Sequence, residues 1–268
     1  MNIVSLIFEI DNSGGNIMKH FNAFRLKFFM AMLMVLDHLD HIPGFLPPWW
    51  MEIFHVITRC VAPFFGYMAV EGFIHTRSRL KYNGRLFLWA GIMFAGNFGL
   101  NRLLNVDSLT VYNNIFFTLA MGVLALNVWC YPVKSEKISP KVILALRILI
   151  AFPITVYACV AYEGSQAVVP FMLICYFLRN KVNIRNIAIC VLSVLLFIPS
   201  FVIYPSIETT IKMLMFNSDW LVFTALPFMY LYNGERGPKT KFSKYFFYVF
   251  YPAHLWILAL IGYITTIV

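Results

Sequence analysis

The stretch "NAFRLKFFMAMLMVLDHLDHIPGF", residues 22–45, sets the terms for the whole chain. Apart from Arg25 and Lys27, residues 23–36 are apolar. Four titratable groups then fall within five positions: Asp37, His38, Asp40 and His41. Pro43 ends the pattern. A membrane-crossing helix needs roughly 20 mainly apolar residues, and 22–40 reads as one. Its far end carries a cluster that a purely structural helix has no use for.

The same apolar pattern recurs along the chain. Eight further spans read as 51–74, 85–104, 111–131, 142–160, 165–178, 184–204, 217–232 and 243–266. The sequence therefore predicts an all-α, polytopic membrane bundle of about nine helices. Residues 1–17 read as an N-terminal tail, and 18–268 as a single transmembrane domain. Composition agrees. The 268 residues are 60% hydrophobic and only 12% charged, against about 25% charged in a soluble domain. No internal repeat and no glycine-rich phosphate loop is visible, which removes support for a nucleotide hydrolase or a dinucleotide fold. The five cysteines lie in or beside apolar segments without CxxC spacing and read as small buried hydrophobes.

A formal charge of +9 suggests nucleic acid in a soluble protein. Here topology explains it, and no nucleic-acid partner is expected. With nine spans and the N-terminus inside, eighteen of the 21 Lys and Arg residues fall in cytoplasmic segments. Arg102 and Lys212 fall outside, and Arg59 is left within the second span. This bias follows the positive-inside rule. It predicts a cytoplasmic N-terminus and an outer C-terminus, in the bacterial inner or plasma membrane. The Asp37–His41 cluster then lies at the outer end of the first helix.

Ionisable groups at membrane depth mark sites by default. On a continuous helix Asp37 and His41 are i, i+4 neighbours, while Asp37 and His38 face different ways. Such a group suits an acid–base centre in which a carboxylate orients a histidine. It also offers metal ligands, or a solvated helix end. Arg59 needs a carboxylate or anionic partner, with Asp37 and Asp40 in reach. Pro63 is expected to kink its helix. Glu71 is expected to pair with Arg77 or Arg85. The basic loop "EGFIHTRSRLKYNGR" (71–85) suits the phosphates of an acyl donor as well as plain topology. His254, in "KYFFYVFYPAHLW" (244–256), is placed in the inner half of the bilayer, as a site residue or a satisfied core histidine.

Four blocks carry a resemblance: "FRLKFFMAMLMVLDH" (24–38), "RCVAPFFGYMAVEGFIHTRSRLKYNGRL" (59–86), "NNIFFTLAMG" (113–122), and "YNGERG" (232–237) with "KYFFYVFYPAHL" (244–255). Together they resemble the TraX family, similar to pilin N-acetylases and to the wider membrane acyltransferase-3 and heparan-type N-acetyltransferase group. The resemblance implies transfer of an acetyl or other short acyl group from cytosolic acyl-coenzyme A to an amine or hydroxyl outside. The acceptor would be a pilin-like peptide, a small peptide or a glycan. By family pattern His38 is the catalytic histidine, with Asp37, Asp40, His41 and Arg59 around it. Arg77, Lys81, Tyr82, Arg85, Asn233, Arg236 and His254 are assigned to the acyl-CoA side. No metal is expected, and a homo-oligomer is left open. This chain departs from the family pattern at "AYEG" (161–164), where relatives carry an aspartate before the tyrosine. The rival readings are a proton-coupled transporter and a non-catalytic membrane assembly partner.

Overall fold

The computed structural model describes residues 21–106, 109–133, 138–162 and 164–267. The expected tail (1–17), Lys19, Lys134, Lys137 and Glu163 lie outside the described residues. The described chain is helical, and its sheet-like pairing is a single bridge between Phe21 and Tyr232.

Helix α1 (Ala23–Asp37) starts where the Asn22 side chain accepts from the Arg25 amide at 3.0 Å, an N-cap that satisfies a free helical donor. It ends sooner than the sequence suggests. Residues Leu39–His41 form a 3-10 turn, and Gly44 takes a left-handed φ of 73°. Helix α2 (Pro48–Ile57), a 3-10 turn (Thr58–Cys60) and helix α3 (Val61–His75) follow. The helical break therefore precedes Pro63. That proline has no N–H to give to the Arg59 carbonyl four residues back, so the expected distortion appears as the 3-10 turn just before it.

Helix α4 (Arg79–Leu104) is capped by Ser78 and ends at Asn105 in the left-handed region, φ 49°. Helices α5 (Ile115–Trp129), α6 (Pro140–Val160), α7 (Ser165–Phe177) and α8 (Val182–Ser200) correspond to expected spans. The segment 217–232, expected as one helix, is a 3-10 stretch (Ser218–Ala225) running into short helix α10 (Leu226–Leu231). Its start is polar, with Asn217, Ser218 and Asp219 in sequence, and these residues favour local backbone bonds over a helix. Helix α9 (Ile207–Phe216), which was not expected, precedes it. Helix α11 (Lys241–Ile267) closes the chain.

Among the described residues four helical segments are long and apolar enough to cross a membrane: Pro48–His75, Pro140–Val160, Val182–Ser200 and Lys241–Thr266. Helices α5 and α7 are shorter and apolar. The core between α1, α3, α5, α7 and α11 buries Met30, Phe64, Phe73, Leu126, Phe171 and Leu255 completely. Helices α6 and α8 instead turn large apolar side chains outward, among them Leu149, Phe152, Val194 and Ile198. Outward apolar faces on helices this long suit lipid, because an exposed apolar patch of that extent is rare on a soluble monomer.

Close approaches fix several quoted motifs. A Cβ on Gly72 would stand 2.7 Å from the Tyr82 hydroxyl, which itself donates to the Ala69 carbonyl at 3.3 Å. Glycine at 72 and tyrosine at 82 are thus one packing device joining α3 to α4. The loop "YNGERG" clamps the start of α1: the Ala23 amide donates to the Glu235 carbonyl at 2.8 Å, and the Asn233 amide to the Phe21 carbonyl at 3.0 Å.

Candidate functional site

Two sites emerge, one at each end of α1. At the cluster end, Asp37 and His38 point apart, as their spacing requires. Asp37 faces the Thr58–Cys60 turn. Arg59 donates through one nitrogen to both Asp37 carboxylate oxygens at 3.1 Å. Its other terminal nitrogen reaches Asp219 at 3.4 Å, and Nε donates to the His55 carbonyl at 2.9 Å. The Thr58 hydroxyl donates to Asp37 at 2.7 Å. His55 Nε2 donates to the Phe216 carbonyl at 2.9 Å, so in the neutral ring Nδ1 accepts from Arg59 at 3.1 Å. One guanidinium thus ties α1, the turn between α2 and α3, and the segment after α9. Arg59 finds the Asp37 partner expected of it. Asp40 does not join; it pairs with His41 instead, Nδ1 to Oδ1 at 2.9 Å.

His38 faces the other way. It is 9% exposed, and its ring makes no hydrogen bond to another described residue. Its neighbours are two imidazoles: His41 with ring centres 5.6 Å apart, and His254 at 5.4 Å. The expectation of a carboxylate orienting His38 therefore changes. Because the helix gives way to a 3-10 turn after Asp37, the helical i, i+4 pairing of Asp37 with His41 is not made; Asp37 holds Arg59 and Asp40 holds His41. His254 was expected in the inner half of the bilayer, as a site residue or a core histidine. It stands beside His38, with Nδ1 donating to the Phe250 carbonyl at 3.0 Å. It is 7% exposed, and its Nε2 is buried without a partner. The α11 backbone comes so close to the turn that Gly262 leaves no room for a side chain against the His41 carbonyl.

The second site is a cleft between α1, α3, α4, α5 and α11, with about 700 Å³ of empty space, part of it open to solvent. Lys27, Lys244, Tyr82 and Tyr248 line it, and its apolar walls run to Met34, Phe250 and Tyr251. Met34 and Phe250 lie four residues before His38 and His254, about 6 Å of helix rise. Arg85, Lys244 and Arg236 all sit close enough to Tyr248 to act on it electrostatically, and Arg236 acts likewise on Lys27. Of the residues assigned to an acyl-CoA donor, Tyr82 lines this cleft, while Arg85 and Arg236 lie outside its lining, within electrostatic reach of Tyr248. Arg77 and Lys81 are exposed and do not line it. Asn233 is spent on its own turn, accepting from the Glu235 amide at 2.9 Å. Glu71 pairs with His75 at 3.6 Å, one turn along its own helix, instead of with Arg77 or Arg85.

A family model described as TraX protein matches residues 24–262. The chain belongs to the TraX family. A curated relative, "Probable fimbrial assembly protein FimC, serogroup H1" of Dichelobacter nodosus, is 26% identical over 246 residues, covering 89% of this chain and 94% of that protein. No solved structure matches. The TraX match spans both sites, from Phe24 at the foot of α1 through His254. Reading this TraX sequence by spacing alone missed Thr58, His55 and Asp219. Asp219 carried a usable signal, as a carboxylate inside an apolar segment. Lys27 and Lys244 were counted as topology charges, and nothing in their spacing showed that they meet.

Proposed function

We propose that the chain is a multi-pass membrane acyltransferase that takes an acetyl or other short acyl group from cytosolic acyl-CoA and delivers it to an amine or hydroxyl on the far side. The observation that carries this reading is the cleft. It is basic at its rim, apolar within, and ends one helical turn from two buried imidazoles. A highly anionic donor fits the rim, where Lys27 and Lys244 neutralise phosphates, with Arg85 and Arg236 nearby. An acyl-bearing thioester fits the apolar part. Nine crossings with the N-terminus inside would put the rim at the cytoplasmic face, in keeping with the eighteen basic residues on that side.

In this mechanism His38 accepts a proton from the acceptor amine or hydroxyl. The freed nucleophile attacks the thioester carbonyl, the C–S bond breaks, and the coenzyme A thiolate leaves and takes up the proton. Attack by the His38 ring itself, through an acyl-histidine, is the covalent variant. Arg59 is a positioning residue here: its donors are engaged by Asp37, Asp219 and His55, so it fixes the helix end that carries His38. The FimC relative is named for fimbrial assembly, which favours a pilin-like peptide as acceptor over a glycan. The same name also supports the reading as a non-catalytic assembly partner.

Purified protein given acetyl-CoA separates the two. The enzyme reading expects free thiol release in wild type and its loss in a folded His38→Ala variant. Coenzyme A binding with no thiol release under any acceptor peptide would support the assembly partner.

A further inference from the structure

The Asp37–His41 segment holds more donors than base catalysis uses. His38, Asp40 and His41 each offer a ligating atom, all within 4.8 Å of one another. His254 adds a third imidazole from α11, with a buried Nε2 that has no partner. We propose that three imidazoles, His38, His41 and His254, bind a divalent transition-metal ion of the zinc class as nitrogen ligands, with the Asp40 carboxylate holding His41 from its far nitrogen.

Three features support it. The first is tautomer. The Nδ1 atoms of His41 and His254 are both taken up, by the Asp40 carboxylate at 2.9 Å and the Phe250 carbonyl at 3.0 Å. Each neutral ring then presents an Nε2 lone pair. Metal-bound histidines are held in the same way, by a carboxylate or backbone carbonyl on the far nitrogen. His38 has no bond that would fix either nitrogen elsewhere.

The second is spacing. Imidazoles bound to one tetrahedral zinc at about 2.0–2.1 Å hold their ring centres roughly 5.2 Å apart. Two of the three ring pairs match this spacing: the His38–His41 and His38–His254 centres are 5.6 and 5.4 Å apart. The third is charge. Within electrostatic reach of His38 stand the carboxylates of Asp37 and Asp40 against the single guanidinium of Arg59. The excess is negative and suits a dication. A nitrogen-rich donor set favours zinc, copper or nickel over magnesium or calcium.

The binding claim stands apart from acyl transfer. Where the two meet, they compete: a lone pair on His38 given to a metal is not available to a proton. Metal loading therefore switches off base catalysis from that ring.

The test uses the full chain in detergent, purified through a tag that contains no histidine and stripped with a chelator. Titration with Co²⁺ is expected to give about one equivalent with the visible absorption of a four-coordinate site, displaced by Zn²⁺ and not by Mg²⁺. His41→Ala is expected to weaken binding at least about tenfold, and Asp40→Asn to weaken it to a similar degree. Asp40 is exposed and the turn lies at the surface, so folding is checked by metal-free melting and Asp40→Asn serves if His41→Ala fails it. No stoichiometric Co²⁺ site in wild type overturns the proposal. So does a site whose affinity is the same in both variants, since that places the ion elsewhere.

Discussion

Replacing Arg59 by methionine removes the one cation that joins three segments while keeping most of the side-chain volume. Asp37 then keeps the Thr58 hydroxyl at 2.7 Å, but loses two guanidinium contacts at 3.1 Å. Stranding one member of a buried pair costs about 3–5 kcal/mol. Both side chains are 19% exposed, so water takes back part of that, and we expect about 3 kcal/mol, the lower end. For a chain of this size the melting temperature falls about 2–4 °C per kcal/mol, a drop of about 6–12 °C. The Asp219 contact contributes little, being longer at 3.4 Å and more exposed; Asp219→Asn is expected to cost less than about 1 kcal/mol. The assay is thermal unfolding in detergent of the two single variants Asp37→Asn and Arg59→Met and of the double variant. Removing both charges leaves no stranded ion, so the double variant should be more stable than Arg59→Met alone. A shift under about 2 °C for Arg59→Met, or a double variant that is simply the sum of the singles, would refute the account of this network.

Three further outcomes follow from the packing and the cleft. Gly72→Ala drives a methyl against the Tyr82 hydroxyl and should cost about 1–3 kcal/mol in the same melting assay, partly restored by Tyr82→Leu. Gly262→Ala should displace the Leu39–His41 turn and abolish Co²⁺ binding while far-ultraviolet helicity is retained, because the His41 carbonyl occupies the space a side chain would need. Lys27→Gln combined with Lys244→Gln should raise KM for acyl-CoA at least about tenfold with kcat little changed, because a lost ground-state contact weakens binding without touching the chemical step; an unchanged KM removes the cleft as donor site.

The helices themselves were legible because apolar runs bounded by basic gaps are a strong signal. What failed was continuity. The extension of α1 to residue 40 and the helix over 217–232 assumed that apolar neighbours carry a helix through polar residues. At Asp37–His41 and Asn217–Asp219 the chain passes into 3-10 geometry instead, where polar residues favour the helix less. The candidate site was half legible. Asp37, His38, Asp40 and His41 announce themselves as ionisable groups crowded at a helix end. His254 was found as a titratable group, yet its meeting with His38 was missed, because counting residues along α11 says nothing about where the α1 turn folds back on it. Lys27 and Lys244 are 217 positions apart, and only the packing of α11 on α1 brings them to one cleft.

The central claim is that an acyl group passes from a donor on the basic side to an acceptor on the histidine side. Sealed vesicles with the protein in one orientation test it directly. Acetyl-CoA labelled on the acetyl group is supplied only at the face bearing Lys27 and Lys244, and a pilin-like peptide with a free N-terminus only at the other. The account expects label on the peptide with wild type, and none with His38→Ala. Label that reaches the peptide equally well with the folded His38→Ala variant, or only when donor and acceptor share one face, would contradict it.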